Sequence, residues 1–357
     1  MDTTTQLGIA KLLRQVAEYR ASALHLSVGN PPILRVDDQL RPLQDEGALT
    51  PEKMEKIGLS FLDEEHRAVL QKDKEVVLTY SFEDRARFKV NVFYQKGYLS
   101  VSLKYIPPTV PNLRELGLPA ITERFTRLKK GLVLVTGPFG SGKSTTLASL
   151  IETINQTRSE YIITIEQPVE YVFTNNKSII EQREVGRDTV SFQKALSSIP
   201  QEDVNVVMLS ELDDLRVIEF VFTVVESGRL VFLAMNTDSA YKTIEKIINA
   251  FDNTKQEQIR LQLADALEGV ISQRLLTKVG GGKIAAAEIL MPSPAVKSII
   301  KEGSIYQLNT ILQTSREEGM ISLDRALAEL VKAGEVLLED ALYQATDKNG
   351  LKMMIRM

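Results

Sequence analysis

The stretch GPFGSGKS, which runs from Gly137 to Ser144, matches the phosphate-binding pattern G-x-x-x-x-G-K-[ST] at every position. It follows the apolar run Leu132–Thr136 and precedes a helix-compatible stretch, Thr145–Thr157. This order of strand, loop and helix is the context that such a motif needs. A glycine-rich turn with a chance lysine has no reason to lie in that context, so the sequence predicts a site for a nucleoside triphosphate.

The parts of such a loop have separate tasks. Glycines let backbone N–H groups close around a polyphosphate, and the start of the following helix adds partial positive charge. Lys143 is expected to reach the β- and γ-phosphates, and the Ser144 hydroxyl to hold Mg²⁺. The residues predicted to contact the nucleotide are Gly137, Gly140, Ser141, Gly142, Lys143, Ser144 and Thr145.

The composition of this 357-residue chain is ordinary for a soluble globular protein with two or three domains. A net charge of −4 gives no overall basic field for nucleic acid. The lack of cysteine excludes disulfides and a cysteine zinc site, and it fits a reducing cytosol. Met1–Leu13 has no signal-peptide core, and apolar runs such as Leu230–Met235 are too short to span a bilayer. We therefore expect a cytoplasmic protein whose membrane association goes through a partner.

A proline-rich segment, Ile106–Pro111, predicts a stiff hinge between two domains. Residues 1–110 include two alternating runs, Phe88–Tyr94 and Leu99–Tyr105, around a turn at Lys96-Gly97, which predict a hairpin in a small α+β domain. Residues 111–290 alternate strands with helices, and residues 291–357 have the pattern of short helices.

The middle region predicts a parallel sheet that binds its ligand at the carboxyl ends of the strands. Helical spacing of apolar residues also predicts one helix over Glu52–Leu70 and one long amphipathic helix over Lys255–Leu276. The predicted strands of the parallel sheet are Leu132–Thr136, Tyr161–Ile165, Val206–Leu209 and Leu230–Met235.

Two acidic residues follow predicted strands. Beside an intact phosphate loop, we interpret Glu211 as the acid that holds Mg²⁺ through water or activates the attacking water. The alternative is an ordinary surface glutamate. Glu166 ends another strand, but Pro168 favours a solvated turn there, so catalysis is only one of two interpretations.

These segments together resemble the hexameric secretion ATPases, and within them the retraction motors of type IV pili. The resemblance also includes Gln182–Thr189, Gly280–Leu290, Asp84–Asn91 and Pro292–Val331, and it covers nearly the whole chain. Extension and secretion motors carry a longer N-terminal region and a tetracysteine zinc element. Neither is present in this sequence, which favours the retraction branch.

The resemblance implies an α/β protein with a RecA-like P-loop NTPase core, a small α+β (PAS-like) N-terminal domain and a C-terminal helical region. It implies a homo-hexamer that hydrolyses ATP with Mg²⁺ to retract the pilus, peripheral at the inner membrane and without direct insertion. The implied partner is an inner-membrane platform protein. An active paralogous motor is a further partner if the chain is a ring subunit without productive hydrolysis, and the net charge predicts no nucleic acid. Glu211 corresponds to the Walker-B acid, Glu166 to the acidic Asp box, and Arg183 and Arg187 to a basic segment.

The chain departs from the family's pattern near the expected chemistry. The Asp box has Gln167 in place of an aspartate, and Arg229 and Asn236 replace both histidines of the histidine box. Other departures are Lys104, Ser197, Pro200, Gln201, Asp213 and the segment Asp203-Val204-Asn205, where the family has Asp-Pro-Asp. The groups that hold nucleotide remain while the groups that sense the γ-phosphate are fewer. We therefore predict normal Mg·ATP affinity with slow turnover.

Three functions stay open on the sequence. Intact Lys143 and Glu211 favour a retraction ATPase, whereas Gln167 and the lost histidines favour a structural or regulatory ring subunit without productive hydrolysis. A small-molecule P-loop kinase leaves residues 1–110 unexplained. Two interpretations also remain for the basic residues that alternate with apolar ones near the hairpin: a solvated sheet face, or a surface that faces a neighbour's nucleotide. These basic residues are Arg85, Arg87 and Lys89.

Overall fold

The computed structural model describes residues 3–83, 86–212 and 214–356. The chain forms two compact units. The first comprises Met1–Thr109 and Pro168–Val172, and the second comprises Val110–Gln167 and Phe173–Met357. The short segment Pro168–Val172 thus leaves the second unit, joins the first and returns, so the backbone passes between the units at three points.

The first unit is built on a six-stranded antiparallel sheet in the order β3-β2-β1-β6-β5-β4. Apolar residues of the helices and of one sheet face form its core. Its elements are α1 (Thr3–Glu18), β1 (Ala23–Leu26), β2 (Ile33–Val36), β3 (Gln39–Pro42), α2 (Pro51–Ser60), α3 (Glu64–Asp73), β4 (Glu75–Phe82), β5 (Ala86–Gln95) and β6 (Tyr98–Ile106).

The hairpin of β5 and β6 confirms the prediction from alternation. Lys96 and Gly97 have φ of 51° and 81°, as expected for a two-residue turn whose twist matches that of the strands. The predicted helix over Glu52–Leu70 is instead two helices. The Asp63 carboxylate accepts a hydrogen bond from the backbone N–H of His66 at 2.9 Å, so Asp63 is the N-cap at which α3 begins. Helical spacing of apolar residues alone does not reveal such an N-cap.

The second unit contains a seven-stranded sheet in the order β13-β12-β7-β11-β10-β8-β9. All neighbours in it are parallel except the β12–β13 pair. Its elements are β7 (Gly131–Thr136), α4 (Lys143–Thr157), β8 (Tyr161–Glu166), β9 (Ile179–Glu184), α5 (Phe192–Ser198), β10 (Val206–Leu209), α6 (Ile218–Glu226), β11 (Leu230–Met235), α7 (Ala240–Asn249), α8 (Asn253–Ala266), β12 (Leu267–Thr277), β13 (Lys283–Leu290), α9 (Pro294–Glu302), α10 (Leu308–Thr314), α11 (Leu323–Lys332), α12 (Leu338–Gln344) and α13 (Lys348–Arg356).

The centre of this sheet explains why the four predicted strands were recognisable. Every residue of β7, β10 and β11 is buried, so these strands are short continuous apolar runs bounded by polar loops. Because β7, β8, β10 and β11 are parallel, their carboxyl ends lie at one edge of the sheet, where a ligand is expected.

The predicted helix over Lys255–Leu276 is wrong in its second half. Helix α8 ends at Ala266, and β12 begins at Leu267, parallel to β7 and antiparallel to β13. A strand in the middle of a covered sheet buries both of its faces. Its apolar residues therefore show no period of two, and their spacing also suits a buried helix.

Gly269 marks a shift of register in β12 and leaves no room for a side chain. A Cβ atom at this position lies 2.3 Å from the ring of Phe125, which is fully buried. We expect Gly269→Ala to destabilise the protein by about 1–3 kcal/mol, because a packed ring must move. Denaturant unfolding measures this change. Gly8→Ala, in an exposed helical position with open space, is the control and should be neutral or slightly stabilising.

The last part of the chain is helical. Helices α11, α12 and α13 form a small separate core with residues of β12 and β13. This core includes Leu327 of α11, Leu276 of β12 and Ala286 of β13. Among the residues that the structure describes, no helix combines the length and the apolar character needed to cross a membrane.

Candidate nucleotide site

The phosphate loop connects β7 to α4 at the carboxyl edge of the sheet. Gly137, Gly140 and Gly142 have φ of 153°, 79° and 91°, a region in which side chains other than glycine are strained. Gly142 directly precedes α4, so the N–H groups at the start of this helix lie at the loop. Phe139 is 87% exposed, so its ring does not fill the loop.

Lys143 lies buried inside this loop. Its Nζ donates hydrogen bonds to the carbonyl oxygens of Gly137 at 2.8 Å and Pro138 at 3.0 Å. The same nitrogen is 3.8 Å from Oε2 of Glu211, whose side chain is half exposed. The fold therefore brings together the lysine and the acid that the sequence singled out, although β11 separates β7 from β10 in the sheet.

Glu166 is the last residue of β8 and is buried, so the solvated-turn alternative is wrong. Its Oε1 accepts hydrogen bonds from the Thr164 hydroxyl at 2.6 Å and from Nε2 of Gln182 at 3.2 Å. The backbone N–H of Gln167 donates to the Ser210 hydroxyl at 3.1 Å, which ties the end of β8 to the end of β10. These bonds give Glu166 a defined position at the carboxyl edge.

The donor set at this edge suits a magnesium nucleotide. Mg²⁺ takes oxygen ligands and is usually held by one or two protein groups together with phosphate oxygens and water. The Ser144 hydroxyl, in the first turn of α4, and the Glu211 carboxylate can supply those protein groups. Thr145 follows in the same turn and is half-buried.

Two departures from the family pattern lie at the opposite edge of the sheet. The Arg229 guanidinium, just before β11, donates to the carbonyl oxygens of Val204 at 3.2 Å and Glu202 at 3.0 Å. Oδ1 of Asn205, just before β10, accepts from the backbone N–H of Tyr161 at 2.8 Å. A strand of six residues such as β11 places roughly 20 Å between the two edges. Within this chain these residues therefore stabilise strand ends rather than contact a nucleotide in the loop.

Two further departures lie at the edge of the sheet that carries the phosphate loop. Gln167 and Asn236 follow β8 and β11 and so lie at the carboxyl edge with the phosphate loop. Asp213 lies outside the described residues. The departures that the sequence suggested to be clustered near the reacting groups thus lie at two opposite edges of the sheet. The reason is that each parallel strand has one end at the ligand edge and its other end far from it.

The basic residues near the hairpin contact another part of the first unit. Arg87 donates to the carbonyl oxygen of Val169 at 3.0 Å, and Lys89 Nζ lies 3.0 Å from Oε1 of Glu170. Lys104 is 3.9 Å from the other oxygen of Glu170, which is buried. The face is therefore covered rather than simply solvated at these positions. Arg85 lies outside the described residues.

We expect Glu170→Gln to destabilise the first unit by about 1–3 kcal/mol, because Lys89 loses the charged partner that compensates for its partial burial. Thermal and urea unfolding measure the change. Glu46→Gln is the matched control, since it breaks the more exposed pair with Lys11 in the same unit and should cost less than about 1 kcal/mol. Equal losses in the two variants would contradict the expectation.

One residue at the loop was missed from the sequence. Gln273, on β12, is buried against the loop, and its side-chain Nε2 donates to the carbonyl oxygen of Ser141 at 2.6 Å. It was missed because its segment was predicted as a helix. The available signal was the polar group Ser272-Gln273-Arg274 inside an apolar segment, since a buried amide needs polar partners.

A model of the type II/IV secretion system protein family matches residues 5–283. The type IV pilus retractation ATPase PilT of Pseudomonas aeruginosa is 37% identical over 339 residues, which cover 95% of this chain and 98% of that protein. The type IV pilus ATPase PilU of the same organism is 32% identical, covering 97% of this chain and 91% of its own length. The twitching motility protein of Neisseria gonorrhoeae is 38% identical over 90% of this chain and 86% of its own.

Solved structures show the same similarity in three dimensions. The crystal structure of the pilus retraction motor PilT with bound ADP superimposes with a TM-score of 0.83, at 41% identity over 98% of this chain and 99% of that one. The ATPase DotB of Legionella pneumophila superimposes with a TM-score of 0.80 at 20% identity, covering 94% and 95% of the two chains, which supports the fold alone.

Proposed function

This chain belongs to the type II/IV secretion system protein family, and from that membership we propose that it is an ATP-hydrolysing motor subunit that powers type IV pilus retraction. The 3.8 Å approach of Lys143 to Glu211 beside a complete phosphate loop carries the proposed ATP hydrolysis. The 37% identity to a type IV pilus retractation ATPase over 95% of this chain supports the proposed retraction. The pilus retraction motor PilT, which aligns over nearly the whole of both chains, has ADP bound in its crystal structure, and this supports a nucleotide site here.

We assign the residues of the site as follows. Backbone N–H groups of residues 139–145 hold the phosphates, and the Lys143 ammonium exchanges the carbonyl oxygens of Gly137 and Pro138 for phosphate oxygens when nucleotide enters. Ser144 and Glu211 would hold Mg²⁺, the latter through water, and a bound Mg²⁺ would supply positive charge beside the phosphates. Glu211 and Glu166 orient the attacking water.

We propose turnover slower than that of a motor with an intact Asp box and histidine box. Fewer of the departures support slow turnover than the sequence analysis implied. It rests on Gln167 and Asn236 at the carboxyl edge, because Arg229 and Asn205 serve the opposite edge. Losing a preorganised group at the reacting centre costs roughly 10²–10³ in rate, and coupled losses do not simply add.

The remaining assignments follow from the family. We propose that residues 111–290 are the ATPase domain, between an N-terminal domain (1–110) and a C-terminal helical region (291–357). We also propose that the subunit forms a homo-hexamer that acts on an inner-membrane platform protein from the cytoplasmic side. Electron microscopy of the purified protein tests the ring directly, since six-membered particles are expected and a uniform monomer contradicts it.

Deletion and complementation in the source organism test the motor function. We expect the deletion strain to lose twitching motility and to accumulate surface pili, because pilin subunits are no longer withdrawn. The wild-type gene should restore motility, whereas Glu211→Gln should not. Restoration of motility by the Glu211→Gln gene, with its product at normal abundance, would contradict a role for hydrolysis by this chain.

The second candidate is a nucleotide-binding ring subunit without productive hydrolysis that assembles with an active paralogous motor. Gln167 and Asn236 at the carboxyl edge favour it. Steady-state phosphate release with Mg²⁺ separates the two functions. Equal rates for wild type and Glu211→Ala support the second candidate, and a clear excess in the wild type supports the motor.

A further inference from the structure

The phosphate loop lies directly against one buried side chain of the neighbouring strand. In the sheet, Ser272 of β12 pairs with Thr136 of β7, so Gln273 lies beside Gly137, where the loop begins. Gln273 is 1% exposed, and both ends of its amide are used. Its Nε2 donates to the Ser141 carbonyl oxygen at 2.6 Å, and its Oε1 accepts from the Thr146 hydroxyl at 2.9 Å.

The loop also approaches Gln273 at two of its glycines. A Cβ atom at Gly137 would lie 2.5 Å from the backbone oxygen of Gln273, and one at Gly142 would lie 3.1 Å from Nε2. Glycine at both positions thus permits close approach as well as positive φ. The first and last parts of the loop are therefore held against the same residue of β12.

Fixing the Ser141 carbonyl oxygen also fixes the N–H of the next residue. In a trans peptide the C=O and N–H groups point in opposite directions. When the Ser141 oxygen points at Gln273, the Gly142 N–H points away from β12, to the side on which a nucleotide phosphate is expected. Gly142 itself imposes little preference, because glycine accepts either orientation of the preceding peptide.

The Ser141 carbonyl oxygen determines which end of the Gln273 amide faces the loop, and Thr146 supplies the partner for the other end. The Ser141 carbonyl oxygen can only accept a hydrogen bond, so it requires the amide nitrogen. The Thr146 hydroxyl donates to the amide oxygen and so holds Oε1 on the side of α4. A rotated amide would direct Oε1 at the Ser141 oxygen and lose that bond, while Nε2 would donate to the Thr146 hydroxyl instead.

We propose that Gln273 is a positioning residue of the nucleotide site, which orients the Ser141–Gly142 peptide so that the Gly142 N–H meets the β-phosphate of a nucleoside di- or triphosphate. Gln273 acts through the loop backbone and does not touch the nucleotide itself. The inference rests on the proposed nucleotide site and adds to it a residue outside the phosphate-binding motif.

Calorimetry with ADP and Mg²⁺ tests the proposal on the full chain. We expect Gln273→Met, which keeps the approximate shape but has no donor, to raise the Kd for ADP by about 10- to 100-fold. Gln273→Glu, which places an acceptor opposite the Ser141 oxygen, should raise it at least as much. Gln256→Glu is the matched control, because Gln256 also donates from its amide to a backbone oxygen, that of Phe251 at 3.1 Å, in the same unit. It should leave the Kd unchanged.

Variants of Thr146 supply a readout that a merely structural role would not give. Thr146→Ser keeps the hydroxyl and should bind ADP like the wild type, whereas Thr146→Val should raise the Kd several-fold. The double variant Gln273→Met, Thr146→Val should bind no more weakly than Gln273→Met alone, because Thr146 acts through Gln273. If the Gln273 variants do not fold, the comparison of Thr146→Ser with Thr146→Val tests the positioning role.

The outcomes separate this inference from the proposed function. Failure of the folded wild type to bind ADP would overturn the nucleotide site itself. Wild-type ADP affinity in folded Gln273→Met, or in Thr146→Val, would overturn the positioning role and leave the nucleotide site standing. Additive losses in the double variant would equally overturn the chain of contacts from Thr146 through Gln273 to the loop.

Discussion

Lys143→Met is expected to lower ATP hydrolysis by roughly 10²–10³-fold or more and to weaken ADP binding. The Lys143 ammonium is the positive side chain that the structure places inside the loop, held by the carbonyl oxygens of Gly137 and Pro138. Methionine keeps the length and apolar character of the stem while removing the charge. The loss therefore reports the interaction with phosphate rather than a cavity. Steady-state phosphate release and calorimetry with ADP measure the two effects.

Lys242→Met is the control for this experiment. Lys242 is an exposed lysine of the same unit, paired with Asp238 at 3.4 Å, and its replacement removes the same charge outside the phosphate loop. We expect near wild-type hydrolysis from it. If Lys143→Met hydrolyses ATP as fast as Lys242→Met, the loop does not act as a phosphate site.

Glu211→Gln is expected to lower phosphate release by roughly 10²–10³-fold while leaving ADP affinity within a few-fold of the wild type. An amide has nearly the shape of the carboxylate but neither its charge for a metal-bound water nor its basicity for the attacking water. Binding should survive because the groups that hold the phosphates are unchanged. Removing a carboxylate 3.8 Å from the Lys143 ammonium also removes a competitor for that ammonium.

Single-turnover and steady-state phosphate release together test this separation of binding from chemistry. Glu257→Gln, at an exposed position of α8, is the control with the same change of charge. A fall in ADP affinity as large as the fall in rate would show that Glu211 supports the loop rather than the reaction. An unchanged rate would favour the ring subunit without hydrolysis.

Much of the architecture follows from short-range patterns. The phosphate loop and each of the four fully or largely buried strands can be recognised in fewer than ten residues, because the loop needs its glycines and each strand is a short apolar run. The β5–β6 hairpin is recognised from two neighbouring alternating runs around a turn that needs positive φ. Glu211 was found in the same way, as an acid directly after an apolar strand. These predictions depend on chemistry that each segment carries by itself.

The features that local sequence patterns missed depend on contacts between residues far apart in the chain. Residues 267–276 belong to the predicted helix, yet they lie between β7 and β13, where the sheet completes their hydrogen bonds and covers both faces. The error also concealed Gln273, whose importance comes entirely from the loop that lies against it. The same holds for Glu170, since nothing near it in the sequence indicates that Lys89 is its partner.

The sequence by itself determined that this chain has a phosphate loop and an acid at a strand end, because backbone conformation and residue chemistry are local properties. The tertiary structure decided which residues share the loop's edge of the sheet. The direction of each strand places Glu211, Gln167 and Asn236 at that edge and Arg229 at the other. Strand direction and order arise from hydrogen bonds between segments far apart in the chain, so no local pattern encodes them.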